Sequence, residues 1–285
     1  MLTPEIAAGL QFSRNDLGPT YRSCDLLAYR DALALRREEL ADLLRVAVDK
    51  QGKRERGNSD VGLDLAAEMQ AIENLVENIA GEAVTAALTD QPTPVENESV
   101  KLTVAADQDE FAALYPGART LQDGLVYPVS LQYVAIGRAA ADLTRRGHQV
   151  EVYRADRRVD LMVRRASAGL FKNEIVDLLR VDKKHYYRWE LGQRPPPANA
   201  LAELQAVNDF IAATASRLEV HAYGDVEVLQ TYDDRDQHRF EADYPHARTL
   251  VGTAAYPARM HRVAAARRAH EMIRAGRPVR IAMPR

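Results

Sequence analysis

The stretch LFKNEIVDLLRVDKKHYYRWELGQRPP, residues 170–196, decides the reading of this chain. Ile175, Val176 and Leu179 recur at i, i+1 and i+4, which predicts a short helix over about 172–179 with those three on its buried face. A tight turn at Arg180-Val181 follows, with Val181 inward. Asp182 then stands where a second helix begins, and its carboxylate can accept the unpaired N–H groups of the first turn. Tyr186 and Trp189, at i and i+3, are the expected inward anchors of that helix. Gly192 stops it, and Pro195–Pro197 prevent its continuation. Lys183, Lys184, His185, Tyr187 and Arg188 are left on the outward face.

Working outward, parts of this stretch recur. Leu43-Leu44-Arg45-Val46 matches Leu178-Leu179-Arg180-Val181 at an offset of 135 residues. At the same offset Asp25-Leu26 meets Asp160-Leu161, Arg30 meets Arg165, Glu55 and Gly57 meet Glu190 and Gly192, and Glu68 meets Glu203. Farther along the offset is 129: Phe111 meets Phe240, Tyr115-Pro116 meets Tyr244-Pro245, Ala118–Leu121 meets Ala247–Leu250, and Tyr127-Pro128 meets Tyr256-Pro257. A tandem duplication with one six-residue length difference is the reading.

Each copy reads as a helical block followed by a small α/β block. Strands are expected at 100–104 and 226–231, helices after Tyr127-Pro128 and Tyr256-Pro257 that stop at Gly147 and Gly276, and closing strands at 149–153 and 278–283. The expected organisation is an arm over 1–20, helical domains over 21–97 and 157–219, and α/β blocks over 98–156 and 220–285. The fold class is α+β, mainly α. In the first copy Leu40, Ala41 and Leu44 are expected inward, but Gln51, Gly52 and Arg54 stand where the second has Tyr186, Tyr187 and Trp189. A mid-helix glycine costs about 1 kcal/mol relative to alanine, and a polar residue at a core site costs more unless it is satisfied. The first copy is the degenerate one, either a half that binds backbone only or a half adapted to another role.

The chain's 285 residues suffice for two domains, and 46% of them are hydrophobic. The net charge of −3 is unlike that of a nucleic-acid binder, but the charge is segregated. Residues 157–194 hold ten Lys/Arg against five Asp/Glu, and 22–56 hold nine against seven; residues 59–111 hold one against twelve. A basic face, rather than a basic protein, is what phosphate binding needs. The single cysteine, Cys24, excludes an intramolecular disulfide. With no apolar run long enough for a membrane span and no leader pattern at the N-terminus, a cytoplasmic location is expected.

The spacing of 170–196 resembles helix-turn-helix proteins of the lambda-repressor class, most specifically in Trp189-Glu190-x-Gly192. The whole repeat is similar to the YdiL-like family, which includes anti-CRISPR-associated regulators, through that tail and through Phe240-x-x-x-Tyr244-Pro245 and Phe111-x-x-x-Tyr115-Pro116. The resemblance implies an autoregulating repressor that binds an inverted repeat in double-stranded DNA. Family members carry one copy and pair as homodimers, so this chain resembles a single-chain pseudodimer, whose two repeats pair within the molecule and whose dimerisation-type α/β blocks leave a further homodimer open. In that geometry Lys183, Lys184, Tyr187 and Arg188 face base edges, where Lys and Arg suit guanine O6/N7. Lys172, His185 and Arg194, with Arg36, Arg37, Lys50, Lys53 and Arg56 of the first copy, are the expected phosphate contacts. Asp182, Tyr186, Trp189, Glu190 and Gly192 are structural. With unequal heads, the preferred site is an imperfect palindrome.

Other chemistries find little support. The seven histidines show no paired ligand spacing, and His246 and His261 are expected at the surface. Asp233–Asp236 lacks the glycine and distal glutamate of a calcium loop and reads as a solvated turn. No phosphate loop or nucleophile elbow is present, so no metal, cofactor or enzymatic activity is expected. The competing readings are a protein-interaction module (an antitoxin or adaptor) that uses the acidic 59–111 region and keeps a vestigial helix-turn-helix, and binding of structured RNA through the same basic face.

Overall fold

Stretches rich in Ala, Leu, Glu and Arg, all good helix formers, are interrupted by only short β-branched runs. The computed structural model describes residues 22–223, 226–252 and 254–283 and is accordingly α+β and mainly helical. The expected arm, 1–20, lies outside the described residues. In chain order the first elements are α1 (Ser23–Ala32), α2 (Arg37–Leu43), α3 (Val48–Glu55), α4 (Leu63–Asp90), β1 (Ser99–Val104), α5 (Gln108–Leu114), α6 (Ser130–Arg145), β2 (Gln149–Arg154) and β3 (Arg157–Arg158). There follow α7 (Asp160–Ser167), α8 (Lys172–Leu179), α9 (Lys183–Glu190), α10 (Ala198–Arg217), β4 (Val220–Tyr223), β5 (Val226–Gln230), α11 (Gln237–Asp243), α12 (Arg259–Arg274) and β6 (Val279–Ala282). A 3-10 turn, Asp234–Asp236, precedes α11.

These elements form two compact units. The first takes in Met1–Glu73, Phe210–Ala247 and Pro257–Arg285, and the second Asn74–Asp209 and Arg248–Tyr256. Sequence order alone leaves open which helical block packs on which α/β block. The block 98–156 packs on the helical block that comes after it, and the N-terminal helices pack on the C-terminal α/β block. The connection explains the second unit: Ala155–Val159 is a tight hairpin from β2 through β3 into α7, too short to let strand and helix part.

In the second unit β1 and β2 run parallel, from Ser99 opposite Gln149 to Val104 opposite Arg154, and β3 pairs antiparallel with β2. Alternation along β1 buries Val100, Leu102 and Val104. α6 covers this sheet and packs on α7 so closely that a methyl group at Gly137 would overlap the Val163 carbonyl oxygen. α7 is tied to α10 by Ser167 Oγ, which donates to Asn208 Oδ1 at 2.8 Å, and by Asn208 Nδ2, which donates to the Arg164 carbonyl at 3.1 Å. Asp160, at the start of α7, accepts from Val152 N at 3.1 Å and Arg158 Nε at 3.1 Å, locking helix to strand.

The first unit repeats this scheme with other side chains. β5 and β6 run parallel, from Glu227 opposite Val279 to Gln230 opposite Ala282, and β4 pairs antiparallel with β5. α12 packs on α1, and Asp25 of α1 accepts from Ile281 N at 2.7 Å and Arg280 Nε at 2.8 Å. Arg262 of α12 has no exposed side-chain surface. Its guanidinium donates to Asp31 at 2.8 Å, to Asp234 at 2.6 Å and to the Tyr232 carbonyl at 3.0 Å. Burial pushes the Asp31 carboxyl up, but Arg262, Arg30 and Arg259 outweigh it and hold the group below the usual carboxylate range. Asp233–Asp236 is a turn with no buried residue, in keeping with the sequence reading, and its exposed Asp234 receives the buried arginine. His261 is corrected. It is 2% exposed, between Thr231 Oγ1 (3.0 Å) and Tyr244 OH (2.9 Å), with the Tyr232 ring edge-on at 4.8 Å. Its α12 position faces the sheet, which the sequence pattern around it did not show. His246 is exposed, as expected.

Candidate nucleic-acid interface

α8 begins where Phe171 N donates to Glu174 Oε2 at 2.7 Å. It buries Ile175 and Leu178, while Val176 and Leu179 are half-buried. Of the expected face of Ile175, Val176 and Leu179, Ile175 is buried as expected, and the face is rotated toward Leu178. The turn is made by Arg180 in the left-handed region, φ 51°, and Val181 beyond it is half-buried. Asp182 Oδ1 accepts from Lys184 N at 3.0 Å and His185 N at 3.1 Å, closing the first turn of α9. Gly192, at φ 66°, ends the helix, and a methyl group there would lie 2.6 Å from the Arg158 carbonyl oxygen. Both the left-handed backbone and the close approach require glycine.

The anchors beneath α9 differ in part from those expected. Tyr186 is fully buried, and burial raises its phenol far above the ordinary value. Trp189 is only half-buried, and the second deep anchor is Glu190, 1% exposed. Its carboxylate accepts from Arg165 Nε at 2.7 Å and pairs with Lys172 Nζ at 2.9 Å, while Arg165 Nη1 donates to the Leu170 carbonyl at 2.5 Å. Arg165 thus ties α7, the start of α8 and the end of α9 together, a role its position in the sequence did not disclose. One signal was available: Arg30 and Glu55 recur together as Arg165 and Glu190, and a cation and an anion repeated at one offset suggest a pair. Lys172 is part of this clamp, so its charge is partly neutralised where a free phosphate contact was expected.

The outer face of α9 carries the cations. Lys183, Lys184 and His185 are exposed; Tyr187 and Arg188 are half-exposed; Arg194 lies exposed beyond the helix. Lys183, Lys184, Arg188 and Arg194 make no ion pair among the described residues. The Tyr187 ring lies within reach of two ammonium groups, with Lys172 Nζ 5.3 Å and Lys183 Nζ 5.7 Å from its centroid. A shallow recess of about 480 Å³ opens between Asp182, Lys183, Lys184, Tyr187, Arg188 and Leu191. The surface is cationic, with Lys183, Lys184 and His185 exposed.

The matching segment of the first unit has the same frame with a different exterior. Arg45 makes the turn in the left-handed region, φ 50°. Glu55 accepts from Arg30 at 2.9 Å and Arg37 at 2.9 Å, and Arg30 Nη1 donates to the Leu35 carbonyl at 2.8 Å. Leu40, Ala41 and Leu43 are buried, and Leu44, expected inward, is half-buried. α3 forms despite Gly52. Gln51, wholly buried at the place of Tyr186, donates to Glu55 Oε1 at 3.3 Å. Ala47 stands where Asp182 caps α9 and offers no side-chain acceptor. Of the expected phosphate contacts, Arg36, Lys50 and Arg56 are exposed, Lys53 pairs with Asp49 at 2.9 Å, and Arg37 is held by Glu55.

Among the described residues no helix is long and apolar enough to cross a membrane, and no group of three or more His, Cys, Asp or Glu is placed to hold a metal ion. No known family model, curated protein or solved structure matches the chain.

Proposed function

We propose that the protein is a sequence-specific DNA-binding regulator, in the sense of a repressor, whose principal reading head is the helix-turn-helix α8–α9. The observation that carries this reading is the division of α9 into two faces. Tyr186 and Glu190 are fixed inward, while Lys183, Lys184 and Arg188 project without a carboxylate partner. An unpaired basic rim at the start of a second helix, behind a tight turn, suits insertion into a major groove, with Lys and Arg on guanine acceptors and flanking cations on phosphates. Tyr187, held against two ammonium groups, offers a rigid apolar edge beside them.

The further reading is that the chain is a tandem duplication with two unequal heads. Repeated contacts support it. Arg30 and Glu55 do for the first head what Arg165 and Glu190 do for the second, down to the carbonyl each arginine reaches. Asp25 and Asp160 each accept from a strand N–H of the adjoining sheet. The first head keeps the clamp but loses the aromatic anchor and the cap. It is therefore assigned to phosphate contact, chiefly through Arg36 and Lys50.

The test is selection of duplexes from a random library by the full chain. One well-defined half-site accompanied by a weaker or unspecific second is expected. Enrichment of no sequence, with retention insensitive to salt, would remove the DNA reading and favour the protein-interaction alternative.

A further inference from the structure

The first unit contains a cavity of about 1070 Å³ between α1, the end of α3, the loop Gly57–Val61 and the Asp233–Arg235 turn. Seven arginines and four carboxylates (Glu55, Asp60, Asp233 and Asp234) line it, so its wall is net cationic. Several of these charges are already engaged: Arg30 and Arg37 with Glu55, and Arg280 with Asp25 at 2.5 Å. Arg56 and Arg235 are exposed and make no ion pair among the described residues. Asp60, the carboxylate across from Arg22, lies 3.9 Å from it and is almost fully exposed.

The second unit explains why there is space here. There the corresponding place is filled by chain. The hairpin Ala155–Val159 joins β2 to α7, and its Arg158 carbonyl oxygen lies 2.6 Å from where a methyl on Gly192 would be. Gly57, which matches Gly192 at the 135-residue offset, faces nothing closer than Ser23 Oγ at 3.4 Å among the described residues. In the first unit β6 and α1 lie far apart in sequence, so no such hairpin connects them. Gly57 lines the cavity, whose wall carries guanidinium groups where Gly192 of the second unit meets the hairpin.

We infer that this cavity binds a small ligand carrying two or more phosphate groups. Guanidinium forks match phosphate oxygens in pairs, and they are less strongly hydrated than ammonium groups. A wall whose free cations stand on separate elements, Arg56 after α3 and Arg235 before α11, suits more than one phosphate. Since Arg37 of α2 pairs with Glu55 of α3 and Arg56 directly follows α3, an occupant also changes the charge that helix offers to DNA. That consequence rests on the proposed function; the binding itself does not.

The experiment is calorimetric titration of the full chain, without DNA, with inorganic pyrophosphate and separately with orthophosphate. Saturable binding of pyrophosphate, tighter than of orthophosphate, is expected. Arg56→Ala and Arg235→Ala, both at exposed positions, should each weaken it at least fivefold, while Lys183→Ala with Lys184→Ala leaves it unchanged. Absence of saturable binding would overturn the inference. So would full retention in the combined Arg56→Ala, Arg235→Ala variant, or loss in the Lys183, Lys184 variant, which would assign the anion to the other unit's basic helix.

Discussion

The segments α2–α3 and α8–α9 share one frame and differ in what the frame presents. Both have a left-handed arginine at the turn, a buried glutamate near the end of the second helix and an arginine from the preceding helix that grips it. In α8–α9 this frame carries Tyr186 inside, an aspartate cap and unpaired cations outside. In α2–α3 it carries Gln51 inside, no side-chain cap, and a lysine already paired with Asp49. The difference teaches that the Arg–Glu clamp and the buried aliphatic face of the first helix are common to both segments, while the aromatic anchor, the cap and the free cations are separable additions.

The largest way to break the comparison is to remove the clamp itself. Glu190→Ala leaves Arg165 and Lys172 without their buried acceptor and should destabilise the second unit by about 3–5 kcal/mol, the usual cost of orphaning one partner of a buried pair. Glu55→Ala should do similar damage in the first unit, and urea denaturation of both variants measures it. If either loss were below about 1 kcal/mol, the clamp would not be the shared support.

The next effect concerns the α/β part. Burial depresses the His261 pKa to about 4 against an ordinary 6.5, with Asp243 pulling weakly the other way. The folded state therefore favours the neutral ring. The resulting stability, about 3 kcal/mol from that shift, is present above pH 6.5 and is lost as pH falls from there toward 4. The matching residue of the other block is Gln132, whose side chain accepts from Ala105 N at 2.8 Å and does not titrate. His261→Gln should flatten the stability profile between pH 7 and 4.5, and an unchanged slope would show that other groups set it.

A smaller effect separates the caps. Asp182→Ala should cost about 1 kcal/mol, and Ala47→Asp should return a similar amount to the first head. Thermal unfolding of the two variants reads both, and equal shifts of the same sign would contradict the comparison. Smaller still is the contribution of Lys50: Lys50→Ala should lower the salt dependence of DNA affinity by roughly one phosphate contact without changing the preferred sequence.

Much of this organisation was legible in the residues. The turn at Arg180, the cap at Asp182, the stop at Gly192, and the strands and helices around the Tyr-Pro pairs all follow from local chemistry, which acts over a few residues. What escaped depends on partners distant in the chain. Which of Leu178 or Leu179 points inward is decided by the neighbouring helices that α8 meets, and Trp189 gives way to Glu190 because Arg165 comes in from α7. His261 lies inside the core through its neighbours Tyr244 and Thr231, and Asp234, itself exposed, is held by Arg262. Which α/β block each helical block packs on is likewise not written locally, because segments alike in sequence leave open which of two similar partners each one meets.

The most direct measurement is the affinity of the full chain, and of the combined Lys183→Ala, Lys184→Ala, Arg188→Ala variant, for the duplex that selection yields, at one fixed salt concentration. The account predicts that the variant stays folded, loses at least a hundredfold in affinity and no longer distinguishes that duplex from a scrambled one, since each contact is worth about 1–3 kcal/mol. A folded variant that binds the selected duplex as tightly and as specifically as the parent would contradict the assignment of α9 to the groove.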